Sequence, residues 1–238
     1  MSDLPDSQTS RPRRSDEDDA KVWRRFTGIS GEDAKASPVH RLKIAGQAPE
    51  GFGLHLRRIV PPDPMRGEAI LAGRWRIGME RVVLPGGEAP WGDTLPSRHF
   101  ADRLHRFDWL ADLLTLNEGG ADRARILLDD WISNFGRFDG FSWRIGCAAD
   151  RVWNWMRCGA QIFEVGTEAE CALRLETLQR QIKHVLALAS STSDTKAAWR
   201  ASVIDVAQSI SLARGKQLDD ALYNLETLCT AHQAEYGR

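Results

Sequence analysis

At 238 residues with 42% hydrophobic side chains, the chain is long enough to bury a real core, and its patterning favours one domain over two. Its 32 Lys and Arg nearly balance 33 Asp and Glu, so no global field draws it onto nucleic acid or an anionic membrane. Cys147, Cys158, Cys171 and Cys229 make no Cys-x-x-Cys pair and fall on predicted helices, which reads as buried thiols in a reducing compartment rather than a disulfide or zinc framework.

Residues 1–20 run from Met1-Ser-Asp-Leu-Pro through Arg11-Pro-Arg-Arg14 to Asp16-Glu-Asp-Asp19, with too few apolar side chains to offset the entropy of ordering. They are expected to form a disordered tail. No apolar run there can serve as a signal segment, and none later reaches the length of a membrane span, so a cytoplasmic chain is expected. Residues 21–66 are expected to be an irregular, wrapping segment, because Gly31, Pro38, Gly46, Pro49, Gly51, Gly53 and Pro61-Pro62 interrupt any regular element. Within it, Lys21-Val-Trp-Arg-Arg-Phe26 reads as a short basic amphipathic helix. Its basic residues are neutralised by acidic neighbours, which disfavours a nucleic-acid or membrane arm.

A helical domain is expected over 67–238, opening with a β-hairpin at 72–84. Trp75 and Ile77 alternate with charged neighbours, Gly78-Met-Glu80 is a plausible turn, and Val82-Val-Leu84 returns. Two strands cannot support themselves, so the hairpin must lean on the helices that follow.

From Ser97 the apolar period becomes about 3.6 residues. Ser97 is a good N-cap, and Phe100, Leu104, Phe107, Leu110, Leu113 and Leu114 predict one helix stopped by Asn117-Glu-Gly-Gly120. A second helix carries Ala124, Leu127, Leu128, Trp131, Ile132 and Phe135 and closes at Gly136. A third carries Ala148, Val152, Trp155, Met156, Gly159 and Phe163. A fourth spans Glu168 to Ala189, and a fifth spans Asp194 to Ala213. The fifth is apolar around much of its circumference (Trp199, Val203, Ile204, Val206, Ala207, Ile210) and is expected to be wedged between neighbours. A sixth covers Gln217 to about His232. Short loops between helices of similar length predict antiparallel neighbours, with no fixed-signature repeat.

The catalytic inventory is short. The chain has no phosphate-cradling Gly loop, no Gly-x-Ser-x-Gly elbow, no His-Glu-x-x-His and no dinucleotide fingerprint. Asp129 and Asp130 are adjacent on a helix, so their side chains diverge by about 100° and read as a solvated face. On the third helix a second stripe, Cys147, Arg151, Asn154 and Cys158, runs opposite the apolar one. Arg151 and Asn154 could grip a carboxylate or sugar hydroxyls, or hydrogen-bond neighbouring helix termini. Trp143, Trp153 and Trp155 could stack on pyranose rings or fill the core.

In chain order, Gly73-Arg-Trp-Arg-Ile77, Trp91, Leu104-His-Arg-Phe-Asp-Trp-Leu110, Leu127-Leu-Asp-Asp-Trp-Ile132, Trp143 and Arg151-Val-Trp-Asn-Trp155 resemble the N-terminal helical part of heparinase II/III-like polysaccharide lyases. The resemblance covers about residue 67 to the C-terminus. It implies a mainly α fold, an incomplete (α/α) toroid of antiparallel helix hairpins with a short N-terminal β-hairpin. It also implies β-elimination of uronate-containing glycans, in which a base removes the proton α to a carboxylate while donors neutralise the developing charge. Carried over by position, His105, Trp143, Arg151, Asn154 and Trp155 would be substrate-binding residues.

Two departures bear on activity. Ala197-Ala-Trp-Arg-Ala-Ser202 stands where the family has its carboxylate-neutralising Asn-His pair, and the chain stops at Ala231-His-Gln-Ala-Glu-Tyr-Gly-Arg238, before the family's catalytic C-terminal part. The expectation is therefore a truncated, catalytically inactive saccharide-binding domain with no catalytic residue, metal or cofactor of its own. Its partners would be an acidic polysaccharide or oligosaccharide, with a separately encoded C-terminal part or self-association beside it. The alternative is a protein-protein interaction or structural helical module with no glycan role.

Overall fold

The computed structural model describes residues 61–211 except 85–87, 92–94, 118 and 190, together with 44, 45, 223, 226, 227 and 230. The expected tail, the basic helix near Lys21 and nearly all of the expected sixth helix lie outside the described residues. Among those described, the protein is mainly helical, with eight helices and one two-stranded antiparallel sheet.

The first helix, α1 (Pro64–Leu71), is built by local chemistry and begins in the last three residues of the segment expected to be irregular, running on into the expected helical domain. Asp63 caps it, its carboxylate accepting from the backbone N–H groups of Met65 and Arg66 at 3.0 and 3.3 Å, and Pro64 supplies a helical φ where no N–H is needed. Strands β1 (Arg74–Ile77) and β2 (Glu80–Val83) form the expected hairpin, with Trp75 opposite Val82 and Ile77 opposite Glu80, so Glu80 belongs to β2 and not to the expected turn. Gly78, with φ 61°, takes the first of two loop positions, the pattern of a type II′ turn whose twist matches the strands. Trp75 and Ile77 are buried while Arg74 and Arg76 point out. The hairpin leans on α1 and on α2 (Arg98–His105).

Ser97 caps α2 as its position implies, its hydroxyl accepting from the Phe100 N–H at 3.1 Å. The single helix expected to run on to Leu114 is instead broken. Arg106 to Trp109 form turns, Phe107 has φ 59°, and a short α3 (Leu110–Leu113) resumes beyond. A left-handed Phe costs roughly 1–2 kcal/mol, so tertiary contacts must select it. Those contacts are visible: Phe107 is fully buried with its ring centroid 4.9 Å from Trp109, 5.6 Å from Trp91, 5.7 Å from Trp131 and 5.3 Å from Trp155.

Helix α4 (Gly120–Phe135) buries Ala124, Leu127, Leu128, Trp131 and Ile132 of the predicted face, leaves Phe135 half-buried against the core, and ends at Gly136. Helix α5 (Ile145–Cys158) also buries its predicted stripe. It stops at Gly159, whose φ 43° and ψ −132° suit only glycine, and the chain restarts as the single-turn α6 (Ala160–Phe163), so Phe163 reaches the core from a separate element. Helix α7 (Glu168–Ala189) has the predicted bounds and buries Leu175, Leu178, Ile182 and Val185. Helix α8 (Thr195–Ser211) is less enclosed than its composition implies. Ala197, Ala201, Ile204 and Ala207 are buried against α5 and α7, but Trp199 stays 44% exposed, so one face is seated rather than the whole helix wedged.

Helix α5 is the hub of the fold, packing against α2, α3, α6, α7 and α8. A chain of alternating charges ties its start to two of them: Arg144 to Asp102 at 2.8 Å, Asp102 to Arg106 at 2.7 Å, Arg106 to Asp150 at 2.5 Å, and Asp150 to Arg200 at 2.7 Å. Burial works against the Arg106 charge, but hydrogen bonds and charge from Asp150 and Asp102 hold its pKa above the ordinary arginine value. Asp129, expected on a solvated face, is a buttress: the Arg174 guanidinium meets both its oxygens at 2.6 Å and also donates to the carbonyls of Ile162 and Val165, joining α4, α6 and α7. Asp130 points away, as adjacent helical positions require.

Candidate functional site

The residues singled out from the sequence are spread through the hub of the fold. Trp143, Trp155, Arg151 and His105 are buried, at 1, 0, 0 and 2% exposure, and Asn154 is half-buried. Arg151 rises from α5 into the centre. Its Nη1 donates to the carbonyls of Ser142 and His105 at 2.8 and 3.1 Å, its Nη2 donates to Gln181 Oε1 on α7, and its guanidinium lies 4.4 Å from the Trp131 ring centroid. Burial draws its pKa down to about 10, with Cys147 and Asp139 opposing, so it stays charged at neutral pH. Arg151 Nε and Trp155 Nε1 find no acceptor among the described residues. Asn154 Nδ2 donates to the Arg106 carbonyl at 2.9 Å. The second stripe of α5 thus hydrogen-bonds a neighbouring helix terminus, Arg151 and Asn154 holding the adjacent carbonyls of His105 and Arg106 where α2 gives way to the turn before α3.

His105 carries its protonation state in its geometry. The indole Nε1–H of Trp131 donates to His105 Nδ1 at 2.9 Å, and an indole can only donate, so Nδ1 is unprotonated and the ring is neutral with its proton on Nε2. Burial, then the nearby Arg151 and Arg144 charges, press its pKa down to about 3. The unfolded chain takes up this proton near pH 6.5 while the folded chain resists it to about 3, so the contribution to stability is full above about 6.5. It declines as pH falls through that window by at most about 1.4 kcal/mol per unit. His105→Gln, which keeps an acceptor for Trp131, is expected to flatten the pH dependence of the urea-unfolding free energy between pH 6 and 4 by about one proton. An unchanged slope would exclude His105 as its source.

The five residues do not converge on one cavity. Trp143 donates its Nε1–H to the Phe135 carbonyl at 2.8 Å and lines a groove with Phe138, Arg137 and Arg180. Asn154 lines a second with Phe107, Asp108 and Arg157. The Cys147 thiol is buried, and burial pushes its pKa up to about 11, which favours the neutral thiol at neutral pH. Among the described residues no group of three or more His, Cys, Asp and Glu could hold a metal ion, and no helix is long and apolar enough to cross a membrane.

A third, larger groove of about 730 Å³ lies along the outer edge of β1, bounded by α1 and α2. Arg66, Arg74, Arg76, His99 and Arg103 line it against a single carboxylate, Asp63, which is committed to capping α1. Sequence reasoning passed over these residues, although the alternation in Gly73-Arg-Trp-Arg-Ile77 already places Arg74 and Arg76 together on the face opposite Trp75.

The chain is 38% identical over 160 residues to FtsZ-localized protein C of Caulobacter vibrioides (strain NA1000 / CB15N). The match takes in 67% of this chain and 28% of the relative's length. No protein-family model and no solved structure matches the chain. The expected membership of the heparinase II/III-like lyases is overturned by these findings, and with it the truncated lyase, the saccharide-binding role and the acidic polysaccharide or oligosaccharide partner. The physical reason for the false likeness is that the aromatic, arginine and asparagine motifs answer the demands of this protein's own centre. Trp131 receives the Arg151 guanidinium on its face, Phe107 is enclosed by tryptophans, and Asn154 closes a backbone turn.

Proposed function

We propose that this protein is a helical protein-interaction module that acts with FtsZ in bacterial cell division. The observation that carries this reading is the 38% identity over 160 residues to a protein named for its localisation with FtsZ. The chain spans 28% of that protein's length, so a partner shared with it is part of the proposal. The internal use of Arg151, Asn154 and His105 supports the same reading, since groups that could have handled a substrate are engaged in holding helices together. On this view His105, Trp143, Arg151, Asn154 and Trp155 are framework residues that keep the outer surface in shape. A cytoplasmic placement belongs to the proposal, as FtsZ acts there. The finer architecture belongs to it too: α5, α7 and α8 each pack against the other two, which supports a three-helix bundle as the unit on which any incomplete (α/α) toroid would be built.

The test is imaging of a fluorescent fusion expressed from its own promoter beside labelled FtsZ. The fusion is expected to concentrate where FtsZ concentrates and to disperse when FtsZ is depleted. Uniform fluorescence in cells with intact FtsZ structures would refute the reading.

A further inference from the structure

The exposed face of the hairpin gathers three arginines, of which Arg76 also donates its Nε–H to the Gly78 carbonyl at 3.1 Å. Arg76 on β1 stands directly opposite Arg81 on β2, and both point outward with Arg74 beside them. Like charges facing across a ladder destabilise it, and more so in a non-hydrogen-bonded pair, where side chains lie closer. This pair is of that kind. The Leu84 N–H donates to the Gly73 carbonyl at 2.9 Å, so Gly73, Trp75 and Ile77 turn their backbone groups toward β2 while Arg74 and Arg76 turn theirs away. Among the described residues, Arg74, Arg76, Arg81 and His99 have no carboxylate partner, whereas Arg66 and Arg103 are held by Asp108. Met65 on α1, 80% exposed, lines the groove, and Met79 at the hairpin tip, next to the lining residue Gly78, is 89% exposed.

We propose that the groove along β1 is a docking site for an extended acidic segment of a partner protein, whose backbone pairs with the outward N–H and C=O groups of Arg74 and Arg76. Carboxylates of the segment meet the guanidinium groups of Arg74, Arg76 and Arg81, and its apolar side chains rest on Met65 and Met79. Charge complementarity selects the occupant. A strand-shaped ligand fits because the groove follows a strand edge, a mode in which main-chain hydrogen bonds supply affinity and side chains supply choice. This surface is one the interaction reading leaves unnamed, and it does not require the partner to be FtsZ, so failure of the experiment below and failure of the imaging test are separate results.

The experiment titrates the full chain against a fluorescein-labelled twelve-residue peptide of alternating Glu and Val. Comparison probes are the same peptide with Lys for Glu, vesicles of phosphatidylglycerol and phosphatidylcholine, and a twenty-nucleotide single-stranded DNA. Saturable binding of the acidic peptide is expected, weakening about tenfold or more between 50 and 300 mM NaCl because exposed charges are screened. The R74E/R76E double variant should bind at least tenfold more weakly with unchanged circular dichroism. If that variant fails to fold, R76Q must weaken binding at least about threefold. The proposal is overturned by absence of saturable binding, by equal affinity for the lysine peptide, or by undiminished binding in the folded variant. Tighter binding of vesicles or DNA than of peptide overturns it in favour of those ligands. A tenfold gain in affinity on neutralising the chain's own acidic run, in D16N/E17Q/D18N/D19N, overturns it in favour of an internal occupant.

Discussion

Arg151→Ala is expected to lower the unfolding free energy by about 3–5 kcal/mol, the cost of breaking a buried charged hydrogen-bond system by removing one side of it. The loss has named parts. The carbonyls of His105 and Ser142 and the side-chain oxygen of Gln181 lose their donor, each a buried acceptor whose desolvation costs about 1–3 kcal/mol, and the Trp131 face loses its cation. Arg151→Lys should recover little, because a single ammonium cannot span two backbone carbonyls and an amide on another helix as a planar fork does. Arg151→Met should be milder than alanine, since it fills the space and removes a guanidinium whose Nε is itself unmatched. Urea-unfolding curves of the three variants check this order. Equal and small effects would mean that Arg151 is a surface group and that the account of the centre is mistaken.

Phe107→Ala is expected to cost a further class of energy, about 3–5 kcal/mol for emptying a fully buried aromatic site. The informative comparison is Phe107→Gly. Glycine in a folded element is ordinarily worse than alanine by about 0.5–1 kcal/mol, yet this position has φ 59°, where alanine pays for its Cβ and glycine does not. The order should therefore reverse, with the glycine variant at least as stable as the alanine variant in the same urea titration. If alanine is the more stable by the ordinary margin, residue 107 is not left-handed and the break between α2 and α3 is misplaced.

Phe107 also shows why part of the fold was legible in the sequence and part was not. The apolar stripe from Phe100 to Leu114 keeps helical spacing straight through the break, because the same residues face the core on both sides of it. Nothing local marks the turn, and the ring contacts that select it come from Trp91, Trp131 and Trp155, all distant in sequence. Where local signals suffice, the reading is close: α7 has its predicted bounds, Ser97 caps α2, and Trp75 and Ile77 are the buried side of the hairpin. Helix α1 carries a local signal in Asp63-Pro64, a cap followed by a proline at the first position, but the Gly and Pro residues before it give the segment the composition of a loop.

The candidate site divides in the same way. Spacing on α5 placed Arg151 and Asn154 on one face, but their acceptors lie 9 to 48 residues away in sequence and belong mostly to the backbone, which no residue pattern announces. A tryptophan-rich centre built around a buried arginine reproduces, by its packing needs alone, motifs that suggested a glycan cleft. The groove along β1 is not legible in the sequence for the opposite reason. Alternation gives Arg74 and Arg76 the pattern of charged neighbours beside Trp75 and Ile77, and only the fold brings Arg66, His99 and Arg103 beside them.

Co-sedimentation with purified FtsZ of the same organism tests the central claim most directly. With GTP present and FtsZ assembled, the full chain should pellet in proportion to polymer, remain soluble when GTP is replaced by GDP, and keep this behaviour in His105→Gln, since that residue acts inside the framework. A chain that stays in the supernatant across a tenfold excess of assembled FtsZ would contradict the account.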